Sequence, residues 1–82
     1  MKKRKGKVKD GLVEVFYDNG QLERRVNWRD GEQDGLWELF HENGRLQSRG
    51  NYIDGELDGL VVLSDEDGNL TRTDTYRNGD LI

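Results

Sequence analysis

The sequence predicts an all-β fold: a single-layer antiparallel β-meander of three tandem β-hairpins. Three observations carry this. Glycine recurs in columns 24 residues apart: Gly11, Gly35, Gly59; Gly20, Gly44, Gly68; and Gly31, Gly55, Gly79. Those columns take in nine of the eleven glycines, which ties the glycines to the repeat rather than to composition. Leucine and aromatic columns share the spacing: Leu12, Leu36, Leu60; Leu22, Leu46, Leu70; and Trp28, Tyr52, Tyr76. Between the glycines the chain alternates apolar and polar as strands do, and no apolar 3.6-residue period survives for a helix.

Residues 1–10 read as a basic tail followed by a partial edge strand, with Val8–Asp10 able to pair onto the N-terminal edge. The repeat domain covers residues 11–82, divided as 11–34, 35–58 and 59–82. The first arms are Leu12–Tyr17, Leu36–His41 and Leu60–Asp65. Each ends in a turn whose Asn-Gly or Asp-Gly pair is the strongest short hairpin signal: Asn19-Gly20, Asn43-Gly44 and Asp67-Gly68. The second arms are Leu22–Trp28, Leu46–Tyr52 and Leu70–Tyr76. Successive hairpins join at Asp30-Gly31, Asp54-Gly55 and Asn78-Gly79. A second Asp-Gly follows in two copies (Asp34-Gly35 and Asp58-Gly59), so these connections read as a few residues longer. Asp80–Ile82 begins an arm that stops.

Register decides which face is buried, and two registers compete. A two-residue loop at Asn19-Gly20 pairs Tyr17 with Leu22, Val15 with Arg24, Val13 with Val26 and Gly11 with Trp28. A three-residue loop ending in Gly20 pairs Phe16 with Leu22, Glu14 with Arg24 and Leu12 with Val26. The second sets apolar against apolar and acid against base, and is favoured on that ground. Hairpins stacked side by side then align Leu22, Leu46 and Leu70 in one row and Trp28, Tyr52 and Tyr76 in another. Like residues lie ~9.6 Å apart, two strand spacings. In the third copy Ser64 and Asp65 replace Phe16/Phe40 and Tyr17/His41, an atypical terminal repeat that faces water.

Composition fits a thin structure. The chain has 82 residues, 32% hydrophobic and 37% charged, too little apolar material for a thick core. It has no cysteine, so disulfides and thiolate metal sites are excluded, and no proline to interrupt strand pairing. No apolar run approaches the ~20 residues of a membrane helix. Met1–Lys5 resembles the charged start of a leader, but no apolar segment follows it, which reads as a cytoplasmic chain. A chain trimmed of its leader would read the same. Lys2, Lys3, Arg4 and Lys5 hold four of the thirteen basic residues, and residues 6–82 then hold nine basic against seventeen acidic, a net of −8. Such a body repels phosphate backbones, so no nucleic-acid partner is expected.

With these residues in place, the chain resembles the MORN-repeat family, and more closely its longer bacterial variant. The resemblance rests on Gly35-Leu36-Trp37-Glu38-Leu39-Phe40-His41-Glu42-Asn43-Gly44 followed by Tyr52-Ile53-Asp54-Gly55, and it covers residues 11–81. The expected aromatic is supplied by Trp37 alone, with Val13 and Val61 at the matching positions. The resemblance implies an antiparallel hairpin array that acts as a scaffold or binding surface. Bacterial proteins with this variant are often antitoxin-like members of toxin–antitoxin pairs. Elsewhere the repeats are linked to membranes, dimerisation and phosphoinositide kinases, the last through a separate catalytic domain that 82 residues do not hold.

No residue pattern supports catalysis. His41 is the single histidine, and nothing local sets Ser48 or Ser64 against it as a nucleophile. Asp65-Glu66-Asp67-Gly68-Asn69 looks like a calcium loop at first sight. The EF-hand pattern then wants glycine and glutamate where Leu70 and Tyr76 stand, so a plain turn is the better reading. The glycines are spaced as hairpin turns rather than as a phosphate-binding loop. No cofactor or metal is therefore expected.

The expectation is a non-catalytic repeat scaffold, a protein-interaction module that binds another protein or itself through a sheet face or an open edge. The alternative is membrane-surface association through the basic tail. Candidate partner-binding residues are Trp28, Trp37, His41, Tyr52 and Tyr76. The regular columns are first of all the core of a thin fold, so specificity should lie where copies differ: Trp37, His41, Ser64–Asp67 and the edges.

Overall fold

The computed structural model describes residues 10–82. The basic tail and the edge pairing expected of Val8 and Lys9 lie outside those residues, and Asp10 belongs to no strand. Eight strands form one antiparallel sheet: β1 (Gly11–Phe16), β2 (Leu22–Arg29), β3 (Glu32–Phe40), β4 (Leu46–Ile53), β5 (Glu56–Leu57), β6 (Gly59–Ser64), β7 (Leu70–Arg77) and β8 (Asp80–Leu81). They lie in chain order, β5 and β6 sharing one side of β4. The sheet measures 50 × 36 × 11 Å, one layer thick. Its all-β meander is the architecture the repeat predicts.

Two turn types alternate, and each is dictated by residues that accept φ > 0. At the Asn-Gly side the loop has three residues. In the first copy these are Asp18-Asn19-Gly20, closed by Gly20 N to Tyr17 O (2.9 Å) and Tyr17 N to Gln21 O (2.8 Å), with Gly20 at φ 89°. The other connection is not longer, as the doubled Asp-Gly led us to expect, but shorter. Asp30 and Gly31 (φ 52° and 85°) form a two-residue turn flanked by the pair Arg29–Glu32. Asp54-Gly55 and Asn78-Gly79 repeat it. Two left-handed residues match the strand twist, which makes this the preferred tight hairpin. Asp34-Gly35 is instead a bulge inside β3: residues 34–36 lie opposite the single residue Asn27, whose Nδ2 donates to Leu36 O at 2.9 Å.

The favoured register is corrected as well. The three-residue loop does pair Phe16 with Leu22. A bulge then leaves Glu23 without a partner, and beyond it the pairing is Val15–Arg24, Glu14–Arg25, Val13–Val26 and Gly11–Trp28. The same slip occurs at Gln47 and Thr71. Each competing register thus holds over part of the hairpin. The physical reason is pairing chemistry: the slip gives Val13 an apolar neighbour and Glu14 a basic one at once. It also separates the predicted columns. By strand alternation Trp28, Tyr52 and Tyr76 lie with Val13 and Val15, whereas Leu22 pairs with Phe16 on the opposite side, and Leu70 is 63% exposed.

Core is scarce. Among the described residues the buried side chains are Val61, Glu38 and Ser48, joined by Gly50. Order therefore rests heavily on hydrogen bonds between repeats. Asn19 Nδ2 donates to Glu42 O (3.1 Å) and Asn43 Nδ2 to Glu66 O (2.8 Å). On the other rim Asp54 N donates to Asp34 Oδ1 (3.0 Å) and Gly55 N to Gln33 O (3.0 Å). These bonds explain why turn residues, and not only apolar ones, keep the 24-residue period.

Candidate functional site

One face carries four of the seven aromatic side chains, with valines and leucines, in three cross-strand rows. The first runs Val15, Arg24, Leu39, Ser48, Leu63, Arg72, each paired with the next. In the second, Val13 pairs with Val26, Val26 with Trp37 and Trp37 with Gly50, while Val61 pairs with Asp74. The third holds Trp28 opposite Gln33, Tyr52 opposite Leu57, and Tyr76 opposite Leu81.

Trp37 sets the centre of this face. Its indole lies on the backbone of Gly50, where a Cβ would come 2.7–2.9 Å from the ring. The Tyr52 ring stands 6.3 Å away at 55°, a tilted aromatic pair. Trp37 Nε1 is buried there with no hydrogen-bond acceptor among the described residues. Leaving a buried donor unpaired costs about 1–3 kcal/mol, so close packing on Gly50 outweighs that loss.

Two hollows flank this centre. One is lined by Val13, Val15, Arg24, Val26, Trp28 and Gln33, the other by Arg24, Val26, Gln33, Trp37, Leu39 and Tyr52. Three expected site residues (Trp28, Trp37 and Tyr52) are therefore brought together. Tyr76 lies further along its row and lines neither hollow. Sequence reasoning missed Arg24, Gln33 and Val26. Arg24 was missed for a definite reason: the favoured register set Glu14 against it. The bulge at Glu23 sends Glu14 to Arg25 instead, and Arg24 to the aromatic face.

The opposite face is electrostatically closed. Glu14, Arg25, Glu38 and Arg49 form a ladder across four strands, with contacts of 2.9, 3.3 and 2.9 Å. Glu38 is clasped from both sides, its side chain 8% exposed. The hydrogen bond to Glu14 is the main cause that raises the Arg25 pKa above its ordinary value. Leu12, Leu36 and Leu60 stand exposed beside this ladder.

His41 belongs to the rim, not to the aromatic face. Its Nε2 hydrogen-bonds Ser64 O at 2.9 Å, across to the next repeat. Tyr17, one repeat earlier, does the same with its hydroxyl, donating to Phe40 O at 2.6 Å. Burial first, then Glu23 and Glu42, push the Tyr17 phenol pKa up. Asp65 fills this position in the third copy, and its bonds turn inward: Oδ1 accepts from Asp67 N (3.0 Å) and Asn69 N (2.9 Å). The backbone bond from Asn69 is the leading cause that lowers its pKa. The acidic stretch is thus a self-bonded hairpin turn, and no group of three metal-ligating side chains is found among the described residues.

A family model described as a MORN repeat variant matches residues 9–30 and 33–54, more than half of the chain. No curated protein and no solved structure matches it.

Proposed function

The chain belongs to the MORN repeat-variant family, and from that premise we propose that it is a protein-interaction scaffold whose working surface is the aromatic face. The family is a non-enzymatic one of repeat modules for protein and membrane interaction. One observation carries the reading. In a sheet 11 Å thick, two adjoining hollows walled by Trp28, Trp37 and Tyr52 are left uncovered by any second layer of the described chain. Aromatic rings presented on a rigid element are what protein interfaces concentrate energy upon.

A photo-cross-linking residue placed at Leu39, on this face, should yield one discrete protein adduct in native lysate. The same residue at Leu60, on the opposite face, should not. Equal adducts from both positions, or none from Leu39, would refute the assignment. The antitoxin-like role is the narrower form of this reading, with a toxin as the partner. Its test is whether co-expression restores growth to cells producing the protein that Leu39 captures.

Membrane-surface association is the second reading. It is favoured by six basic side chains among residues 1–9. It predicts binding to anionic vesicles that salt weakens and that deletion of residues 1–9 abolishes.

A further inference from the structure

Four of the six strand arginines pair with carboxylates; of the two that do not among the described residues, Arg24 and Arg77, only Arg24 lines the hollows. Arg25 and Arg49 are paired with Glu38, and Arg72 with Asp74 at 3.1 Å. Arg24 has no carboxylate within ion-pair distance among the described residues; its side chain is exposed and lines both hollows. The repeat shows why. Arg72 is its equivalent in the third copy, and Asp74, two residues on along the same strand face, neutralises it. The first copy has Val26 in place of that aspartate. An unpaired guanidinium therefore stands among valines, Leu39 and aromatic rings, beside Gln33.

We propose that Arg24 anchors a peptide-binding site: it takes the carboxylate of an acidic side chain from a partner protein, and apolar residues on either side of that acid fill the two hollows. This deepens the interaction-scaffold reading and rests on it. A guanidinium without an internal partner favours a carboxylate, which it can grip with two parallel hydrogen bonds. Charge outside the hollows narrows the ligand. Residues 10–82 carry seven basic and seventeen acidic side chains, a net of −10, and the rim turns with the residues flanking them hold ten of those acids. A polyanion such as nucleic acid or an anionic lipid surface would meet that rim, whereas a single acid between apolar residues meets only Arg24.

The test uses the full chain and two blocked pentapeptides, leucine-serine-glutamate-serine-leucine and its glutamine counterpart, titrated while amide and tryptophan indole NMR signals are followed. The glutamate peptide should move the Trp28 and Trp37 indole signals and bind about two- to fivefold more tightly than the glutamine peptide, the scale of one solvent-exposed ion pair. Arg24→Gln should erase that preference. Val26→Asp should erase it too while keeping Arg24, because it supplies the internal partner that Asp74 gives Arg72. Dispersed amide spectra of either variant certify the fold, and one folded variant suffices. Equal binding of the two peptides, a preference that survives in Arg24→Gln, or no shift with either peptide overturns the proposal. So does a concentration-dependent shift of the protein alone that Arg24→Gln removes, since the occupant is then a second copy. The cross-link from Leu39 reads the face regardless of charge, so the scaffold reading can stand when the carboxylate anchor falls.

Discussion

Gly50→Ala is the most informative single change in the fold. Position 50 lies across from Trp37, and the corresponding pairs in the other copies are Val13–Val26 and Val61–Asp74. Only the copy with tryptophan has glycine opposite. A methyl group at residue 50 would meet three indole atoms at 2.7–2.9 Å. Ordinary contact begins near 3.5 Å, so the ring must lift by several tenths of an ångström and lose its seat beside Tyr52. Overpacking of this kind costs about 1–3 kcal/mol. Against it, alanine in a strand gains roughly 0.5–1 kcal/mol over glycine through the unfolded chain. The net expectation is a loss of about 1–2 kcal/mol, or ~4–15 °C in Tm for a domain of this size. Urea unfolding followed by tryptophan fluorescence measures it. The diagnostic is a double-mutant cycle: in a Trp37→Val background the clash partner is gone, and Gly50→Ala should become neutral or stabilising. Gly50→Ala at wild-type stability, or an equal loss in both backgrounds, would refute the packing argument.

Three other outcomes follow from the same structure. Glu38→Gln should lose about 1 kcal/mol in urea unfolding at low salt and less at high salt, because Arg25 and Arg49 are left facing each other but are themselves about half exposed. His41→Tyr should be neutral within ~0.5 kcal/mol and His41→Ala should cost ~0.5–1.5 kcal/mol, since a tyrosine already makes the same inter-repeat bond at residue 17. Asp65 has a folded pKa below its ordinary value, so its contribution to stability is complete above that ordinary value and is lost as pH falls through the folded one. Asp65→Ala should accordingly flatten the acid limb of the stability–pH curve, which thermal unfolding across acidic buffers reads directly.

Part of the candidate face was legible in the sequence, for an identifiable reason. Trp28, Trp37 and Tyr52 were expected partner residues because large aromatics on a thin sheet have few other places to go, and they do line the hollows. His41 was expected because the copies differ there, but the difference lies on the rim: it holds two repeats together. Arg24 was assigned an ion pair that a one-residue slip gives to Arg25. Nothing in the local sequence marks Glu23, Gln47 or Thr71 as the bulged residues, because a bulge is chosen by the energy of all the pairs beyond it.

By itself, the sequence determined the number of hairpins, the positions of the turns and the all-β class. Those depend on backbone angles that only a few residue types accept, and such preferences are local. It also determined the period of the inter-repeat bonds, since asparagine, aspartate and glycine recur with the turns they serve. The tertiary structure alone decided the registers, the length of the connections and the face each side chain occupies. Through those it decided that Glu38 is clasped between two arginines while Arg24, without a carboxylate partner among the described residues, lines the hollows of the other face. Side-chain period in a strand is two, so a one-residue slip moves every residue beyond it to the other face, and only the pairing energy of the whole sheet selects the slip.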